Sequence, residues 1–224
     1  NAEQTIYTAT DAQTGINRDK LLASAIQTIN STRGLSVNHG DGRGFSAIGG
    51  LDAFKEYATR LINGKLRLKL IVYVDEVEKM LGGSHTGGDT SGVSQGFLGN
   101  WLSEIQDTNS LGLLFTGVYG CAKSEAAKRL GEEAQVLTVR MDLGAMKDSL
   151  VGSSEANFRR AMSVIREIGG SDGGILYIAT CNRIKQLPPE FKRRFNLGTF
   201  FFAFPTEIER ASIWRIYLDK YELP

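Results

Sequence analysis

Between residues 68 and 76 the chain reads Leu-Lys-Leu-Ile-Val-Tyr-Val-Asp-Glu, with every position from Leu70 to Val74 apolar. A strand with one wet face alternates polar and apolar residues. A strand without alternation is covered on both faces, which is the condition of an inner strand of a parallel sheet flanked by helices. Leu68–Val74 is therefore expected to be such a strand. Four further short apolar runs, Leu111–Thr116, Val136–Met141, Gly174–Ala179 and Thr199–Phe204, alternate with helical patterns, giving five strands in an α/β fold. The helices are expected at Arg18–Asn30, Leu51–Ile62, Phe97–Ile105, Ser124 through Leu130 and Ser154–Ile168. A short turn is expected at Pro189–Phe195, and a last helix runs to Tyr217 behind a Thr206/Glu209 capping box. Ser36–Gly44 and Gly82–Ser94 read as loops. With 224 residues, this is one domain plus a short extension.

Composition removes several function classes. Lys+Arg is 26 and Asp+Glu 25, a net charge of +1, so neither nucleic acid nor an anionic membrane is favoured as the main partner. No apolar run approaches the ~18 residues of a membrane span, and no signal-peptide pattern opens the chain. Two cysteines make no disulfide framework, which points to a reducing, cytoplasmic setting. His39 and His85 stand in polar loops without zinc-ligand spacing. A first residue of Asn1 rather than Met suggests a trimmed chain.

Strand, then Gly117-Val118-Tyr119-Gly120-Cys121-Ala122-Lys123-Ser124, then helix is the context of a phosphate loop. Glycines allow successive backbone N–H groups to face one phosphate, and the helix N-terminus adds its dipole. Lys123 can reach the β/γ-phosphates, and the Ser124 hydroxyl can hold Mg²⁺. Ala122 stands where the pattern G-x-x-x-x-G-K-[ST] has its second Gly, and Ala does not readily adopt φ > 0. Alone, the segment also fits a Gly-rich turn with a solvated lysine. Asp75 and Glu76 supply the second half of such a site: two carboxylates at the C-terminal end of a buried strand, where open α/β sheets bind ligands. Asp75 would join the Mg²⁺ shell, and Glu76 would activate water as a general base. Taken singly, Asp75 could equally cap the following helix and Glu76 be solvated.

Together these residues resemble the AAA+ ATPases, within them the classical AAA clade. Phe45-Ser46-Ala47-Ile48-Gly49-Gly50-Leu51 is similar to the stretch preceding that family's nucleotide domain, and Ser149 to Glu155 with Arg159-Arg160-Ala161 to its segment after the second strand. Ile178-Ala179-Thr180-Cys181-Asn182 resembles sensor 1, with Asn182 at the polar position. Leu187-Pro188-Pro189-Glu190 through Arg193-Arg194-Phe195 resembles the arginine-finger region. The resemblance implies ATP and Mg²⁺ as cofactors. It assigns phosphate-loop contacts to Gly117, Gly120, Cys121, Ala122, Lys123 and Ser124, the metal to Ser124 and Asp75, and catalysis to Glu76, Asn182, Arg194 and Arg193. It also implies a homo-oligomeric ring, a hexamer for instance, that remodels a protein or nucleoprotein. The alternative is a nucleotide-binding structural module with little or no turnover, which Ala122, Leu150 and a missing lid would favour.

The motif order departs from the family. The acidic strand (Walker B) precedes the phosphate loop (Walker A), as in some bacteriophage-type ATPases, for which the setting would be the host cytoplasm. The implied fold is a three-layer P-loop sheet of five parallel strands in the family order 5-1-4-3-2, with permuted connectivity. Each helix keeps its usual face, because the two rearranged crossovers travel in the family's direction and only skip one strand more. Residues 1–44 would form an N-terminal helical appendage, 45–218 the nucleotide domain, and 219–224 the start of a lid. In family members that thread polypeptides, an aromatic stands where this chain has Leu150, before Val151-Gly152. Leu150 fits a pore loop and a plain helix-start loop equally, and Gly82–Ser94 fits a second pore loop or a surface loop.

Overall fold

The computed structural model describes residues 10–11, 15–64, 67–81, 91–146, 153–170 and 172–223. Strands are β1 (Thr10–Asp11), β2 (Gly15–Ile16), β3 (Leu35–Val37), β4 (Leu70–Val74), β5 (Leu111–Gly117), β6 (Leu137–Met141), β7 (Ile175–Cys181) and β8 (Thr199–Phe202). Helices are α1 (Arg18–Ser31), α2 (Asp52–Ile62), α3 (Val77–Leu81), α4 (Ser91–Asp107), α5 (Lys123–Glu133), α6 (Leu143–Met146), α7 (Ser153–Gly169), α8 (Pro189–Arg194) and α9 (Glu207–Lys220).

The main sheet has six strands in the order β3-β6-β4-β7-β5-β8. β6, β4, β7, β5 and β8 run parallel, and β3 pairs antiparallel with β6, Leu35 opposite Met141 and Val37 opposite Val139. Beside the five parallel strands, β3 adds an antiparallel edge that was not expected, so the sheet is mixed and six-stranded, and the loop expected from Ser36 begins only after Val37. Three residues are too few to show a period, so β3 exists through its ladder to β6 and the burial of Leu35 rather than through any local signal.

All five residues of β4 are buried, and they divide between the two faces of the sheet. Leu70, Val72 and Val74 enter a core with Ile29, Trp101, Phe158 and Phe191, contributed by α1, α4, α7 and α8. Ile71 and Tyr73 enter a second core with Phe54, Ala126 and Leu130 from α2 and α5. Burying an aliphatic side chain of this kind contributes about 1.5–3 kcal/mol. A strand covered on both faces gains this at every position, which is why it carries no polar residue until it ends. Trp101 packs edge-on against Tyr177, Phe191 and Phe195, fixing α4 on β7 and α8. On the other face Phe54 packs against Phe45, Phe115 and Phe202.

α4 starts at Ser91, earlier than the apolar stripe indicates, because Gly96 and Gly99 dilute the helical signal of its first half. The Thr206/Glu209 capping box opens α9, which ends at Lys220. Of the pore-loop candidates, residues 82–90 of Gly82–Ser94 and Leu150-Val151-Gly152 lie outside the described residues, while Ser91 to Ser94 belong to α4 and not to the expected loop. Backbone N–H groups of Gly44 and Phe45 donate to Glu132 and Glu133 of α5, at 3.0 and 3.1 Å. The stretch from Phe45 to Leu51 is thus tied to the helix behind the glycine loop. Because β4, β7 and β5 are parallel neighbours, Asp75, Asn182 and Gly117 all leave the sheet at one edge.

Candidate functional site

The glycine loop follows β5 in a backbone that needs φ > 0 at three places: Gly117 at 146°, Gly120 at 79° and Ala122 at 61°. At Gly117 a Cβ would lie 2.1 Å from the Phe202 carbonyl oxygen, so no other residue fits. Ala122 occupies the left-handed region as the residue preceding α5, the geometry its side chain disfavours. The strain is about 1–2 kcal/mol, against about 0.5–1 kcal/mol of extra chain entropy that a glycine loses on folding. Ala122→Gly is therefore expected to raise the urea midpoint by the equivalent of about 0.5 kcal/mol without changing the m-value. An unchanged or lower midpoint would show that Ala122 is not strained.

Lys123 is buried, and its ammonium donates to the carbonyls of Gly117 at 3.1 Å and Val118 at 2.6 Å. Two of its three N–H groups are spent there. No carboxylate pairs with it among the described residues. A buried cation without a counter-charge is poised for an anionic ligand, since desolvation leaves its charge uncompensated.

Across the edge of the sheet, the Ser124 hydroxyl donates to Asp75 Oδ1 at 2.6 Å, and the Thr180 hydroxyl donates to the same oxygen. The Glu76 backbone N–H donates to Thr180 Oγ1 at 2.9 Å. Register explains the meeting: Val74 pairs with Ala179, so the next residues, Asp75 and Thr180, emerge side by side. Glu76 has φ 51°, a left-handed conformation unusual for a non-glycine residue, of the kind that clusters at functional sites. Its carboxylate receives Asn182 Nδ2 at 3.3 Å and an ion pair from Lys79. Asn182 also donates its backbone N–H and Nδ2 to Glu78 Oε1, both at 2.9 Å.

Asp75, Glu76, Ser124 and Asn182 thus form one hydrogen-bonded cluster at the sheet edge, with Lys123 beside Ser124 at the start of α5. Thr180, Glu78 and Lys79 belong to it and were not singled out from the sequence. The spacing D-E-V-E-K, which places Glu78 and Lys79 in the first turn of α3, is the signal that could have found two of them. The cluster can bind a phosphate through Lys123 and the loop, hold a divalent cation between Ser124 and Asp75, and place a carboxylate and an amide near a water. Cys121 and Cys181 are both buried thiols. Burial, with Glu78 beside it, pushes Cys181 up to about 12, so it stays protonated and unreactive.

Arg193 and Arg194 are not brought into this cluster. They end α8, where the Arg194 carbonyl lies against Gly112 near the start of β5, and Arg193 is exposed. Gly112 precedes Gly117 by five residues of strand, roughly 17 Å at ~3.3 Å per residue.

Beside the loop lies a cavity of about 270 Å³, lined by Gly120, Cys121 and Ala122, by Leu51 and Phe54, and by Ile213 of α9. The Leu51 N–H donates to Glu209 of α9 at 3.2 Å, which brings that helix against the cavity. Hydrogen bonds from the Thr206 backbone N–H and hydroxyl and from the Leu51 N–H hold the Glu209 carboxyl below its usual range. Among the described residues, no helix is long and apolar enough to cross a membrane.

A six-stranded α/β sheet with a glycine loop and paired carboxylates at one edge is the class of site defined here. No protein-family model matches the chain. In sequence, the chain is similar to the uncharacterized AAA domain-containing protein ycf46 of Pyropia yezoensis, 27% identical over 147 residues, a match covering 49% of this chain and 30% of that protein. The corresponding protein of Guillardia theta is 25% identical over 147 residues, with 49% and 29% covered. The match spans less than a third of either relative's length. Among solved structures, the AAA domain of FIGL-1 in complex with ADP has a TM-score of 0.47 and 15% identity, over 88% of this chain and 67% of that one. The FIGL-1 AAA domain in a second crystal structure has a TM-score of 0.48 and 16% identity, over 87% and 65%. About half of this chain is thus similar in sequence to AAA domain-containing proteins.

Proposed function

We propose that the chain is a Mg²⁺-dependent ATP-binding and ATP-hydrolysing AAA+ domain with rearranged motif order, acting in a homo-oligomeric ring on a protein or nucleoprotein. The observation that carries this reading is the 2.6 Å hydrogen bond from Ser124 to Asp75, which joins the glycine loop to the acidic strand although 49 residues separate them in sequence. A hydroxyl and a carboxylate in contact, next to a buried lysine that pairs with no carboxylate among the described residues, fit a cation bound together with a nucleotide phosphate. Mg²⁺ held there would neutralise charge developing on the phosphates. Lys123 would bind the β/γ-phosphates and Gly117 through Ser124 would supply backbone N–H groups. The apolar cavity against Leu51 and Phe54 is of a size for a flat base. Glu76 would take the proton of the attacking water, and Asn182 would orient it.

The rearranged order is supported by connectivity. β4 precedes β5 in the chain and lies beyond β7 in the sheet, while β6 passes over β4 to reach β7. Numbered as in the family, the five parallel strands stand in the order 5-1-4-3-2. We place the chain in the cytoplasm on its cysteine usage.

A second reading, a nucleotide-binding module without turnover, is favoured by one observation, the left-handed Ala122 in the phosphate loop. Phosphate release measured with and without Mg²⁺ separates the two. Mg²⁺-dependent release supports the ATPase, and ATP binding without release supports the module. Lys123→Ala is expected to lower ATP affinity by about 100-fold or more, because it deletes the only side-chain cation of the loop and the loss of a charge-assisted contact to phosphate costs several kcal/mol. Calorimetry showing unchanged affinity would refute the phosphate-loop assignment.

A further inference from the structure

Glu78 stands behind the cluster, only 5% exposed, in the first turn of α3. Its Oε1 accepts both the backbone N–H and the side-chain Nδ2 of Asn182, each at 2.9 Å. Its Oε2 meets no N–H or O–H among the described residues, and the Cys181 thiol lies beside the carboxylate. A buried carboxylate with so few partners is costly, and the two bonds from Asn182 are its main compensation. Glu76, by contrast, keeps about a third of its side chain exposed and is shared between Asn182 and the solvent-facing Lys79.

The chemistry of the amide fixes its orientation. Carboxylates accept and do not donate, so the NH₂ end of Asn182 must face both Glu76 and Glu78. The flipped amide would set its oxygen against two carboxylate oxygens. Glu76 alone, a third exposed to water and shared with Lys79, holds this choice weakly. Glu78 holds it twice, once through the side chain and once through the backbone.

We infer that Glu78 is a positioning residue: it locks the backbone and amide of Asn182 so that Nδ2 stays on Glu76, and thereby aims, through Asn182, a base that it does not itself touch. This rests on the ATPase reading above for its consequence in turnover, while the lock itself is a property of the ligand-free protein. Glu78→Ala leaves the Asn182 backbone N–H without its partner and Nδ2 held by Glu76 alone, which frees the amide to rotate. Glu78→Gln keeps an acceptor oxygen of the same reach for both Asn182 donors.

The test has two arms on the same ¹⁵N-labelled chain. In the first, the Asn182 side-chain amide signals, assigned with Asn182→Asp, are expected to exchange slowly with solvent in the parent and in Glu78→Gln, and quickly in Glu78→Ala. In the second, Glu78→Ala is expected to lower kcat about 10- to 100-fold, the usual cost of losing an orienting partner, with KM for ATP unchanged. Glu78→Gln should retain most of the parent rate. Fast exchange in the parent, parent-like exchange or kcat in Glu78→Ala, or a Glu78→Gln variant as slow as Glu78→Ala would overturn the inference. The parent exchange measurement decides the matter even if Glu78→Ala does not fold. A parent that binds ATP without hydrolysing it would overturn the ATPase reading instead, and the amide signals would still judge Glu78.

Discussion

Replacing Glu76 by Gln is expected to leave ATP bound and to lower its hydrolysis by about 10²- to 10⁴-fold, the contribution of a positioned general base. The substitution keeps the size of the side chain and its acceptor oxygen, so Asn182 at 3.3 Å retains a partner. It removes the capacity to take a proton and the charge that pairs with Lys79. The left-handed backbone at residue 76 is held by its N–H bond to Thr180, which no side-chain change disturbs. Binding should therefore change little, because the phosphate contacts proposed above come from the loop and Lys123 rather than from β4. Calorimetry for affinity and phosphate release for turnover separate the two effects. Turnover within a few-fold of the parent would show that another group activates the water.

The second large effect is expected from Arg194→Ala, and it concerns assembly. In the fold, the Arg194 carbonyl lies beside Gly112, with Arg193 one residue before it in α8, roughly 17 Å of strand from the glycine loop of their own chain. No arginine side chain spans that distance, so any action of these residues on a bound nucleotide would be on a neighbour's. A planar guanidinium directed at the transferred phosphoryl group neutralises charge as it develops, which in GTPases accelerates hydrolysis by about 10³–10⁵. Arg194 is favoured over Arg193 because buried Phe195 anchors the backbone next to it. Hydrolysis per chain should rise with protein concentration and fall steeply in Arg194→Ala. Mixing that variant with an Asp75→Asn chain should restore part of the rate, since each supplies what the other lacks. A rate independent of concentration, or parent-like rates in both Arg194→Ala and Arg193→Ala, would mean that each site works alone. Three consecutive cations on a solvated helix end would then be their whole role.

Much of the site was legible because its parts obey local rules. A strand that is apolar at every position must be covered on both faces, and it turns polar only where it leaves the sheet, so Leu70–Val74 announced both its burial and the carboxylates at its end. Gly117 and Gly120 were legible because the backbone turns there in ways that only glycine adopts without cost. Thr206 and Glu209 cap α9 by a bond pattern confined to four residues. Each of these signals lies within a few residues of its cause.

Thr180, Glu78, Lys79 and β3 were not legible, and for one reason. A threonine in an apolar strand looks like any half-polar β residue until the ladder brings it beside Asp75. Glu78 looks like a helix-surface acid until α3 turns it inward, where the backbone of Asn182, more than a hundred positions away, becomes its donor. Leu35–Val37 has no period of its own and is a strand only because β6 offers an unpaired edge. Taken alone, then, the sequence determined which segments are buried, where the chain must turn, and that a glycine loop and two adjacent carboxylates follow two of the strands. The tertiary structure alone decided that these meet at one edge, that Asn182 is tied to Glu76 and Glu78, and that Arg193 and Arg194 lie at the other. Hydrogen bonds between distant segments depend on strand order and register, which no local stretch of residues encodes.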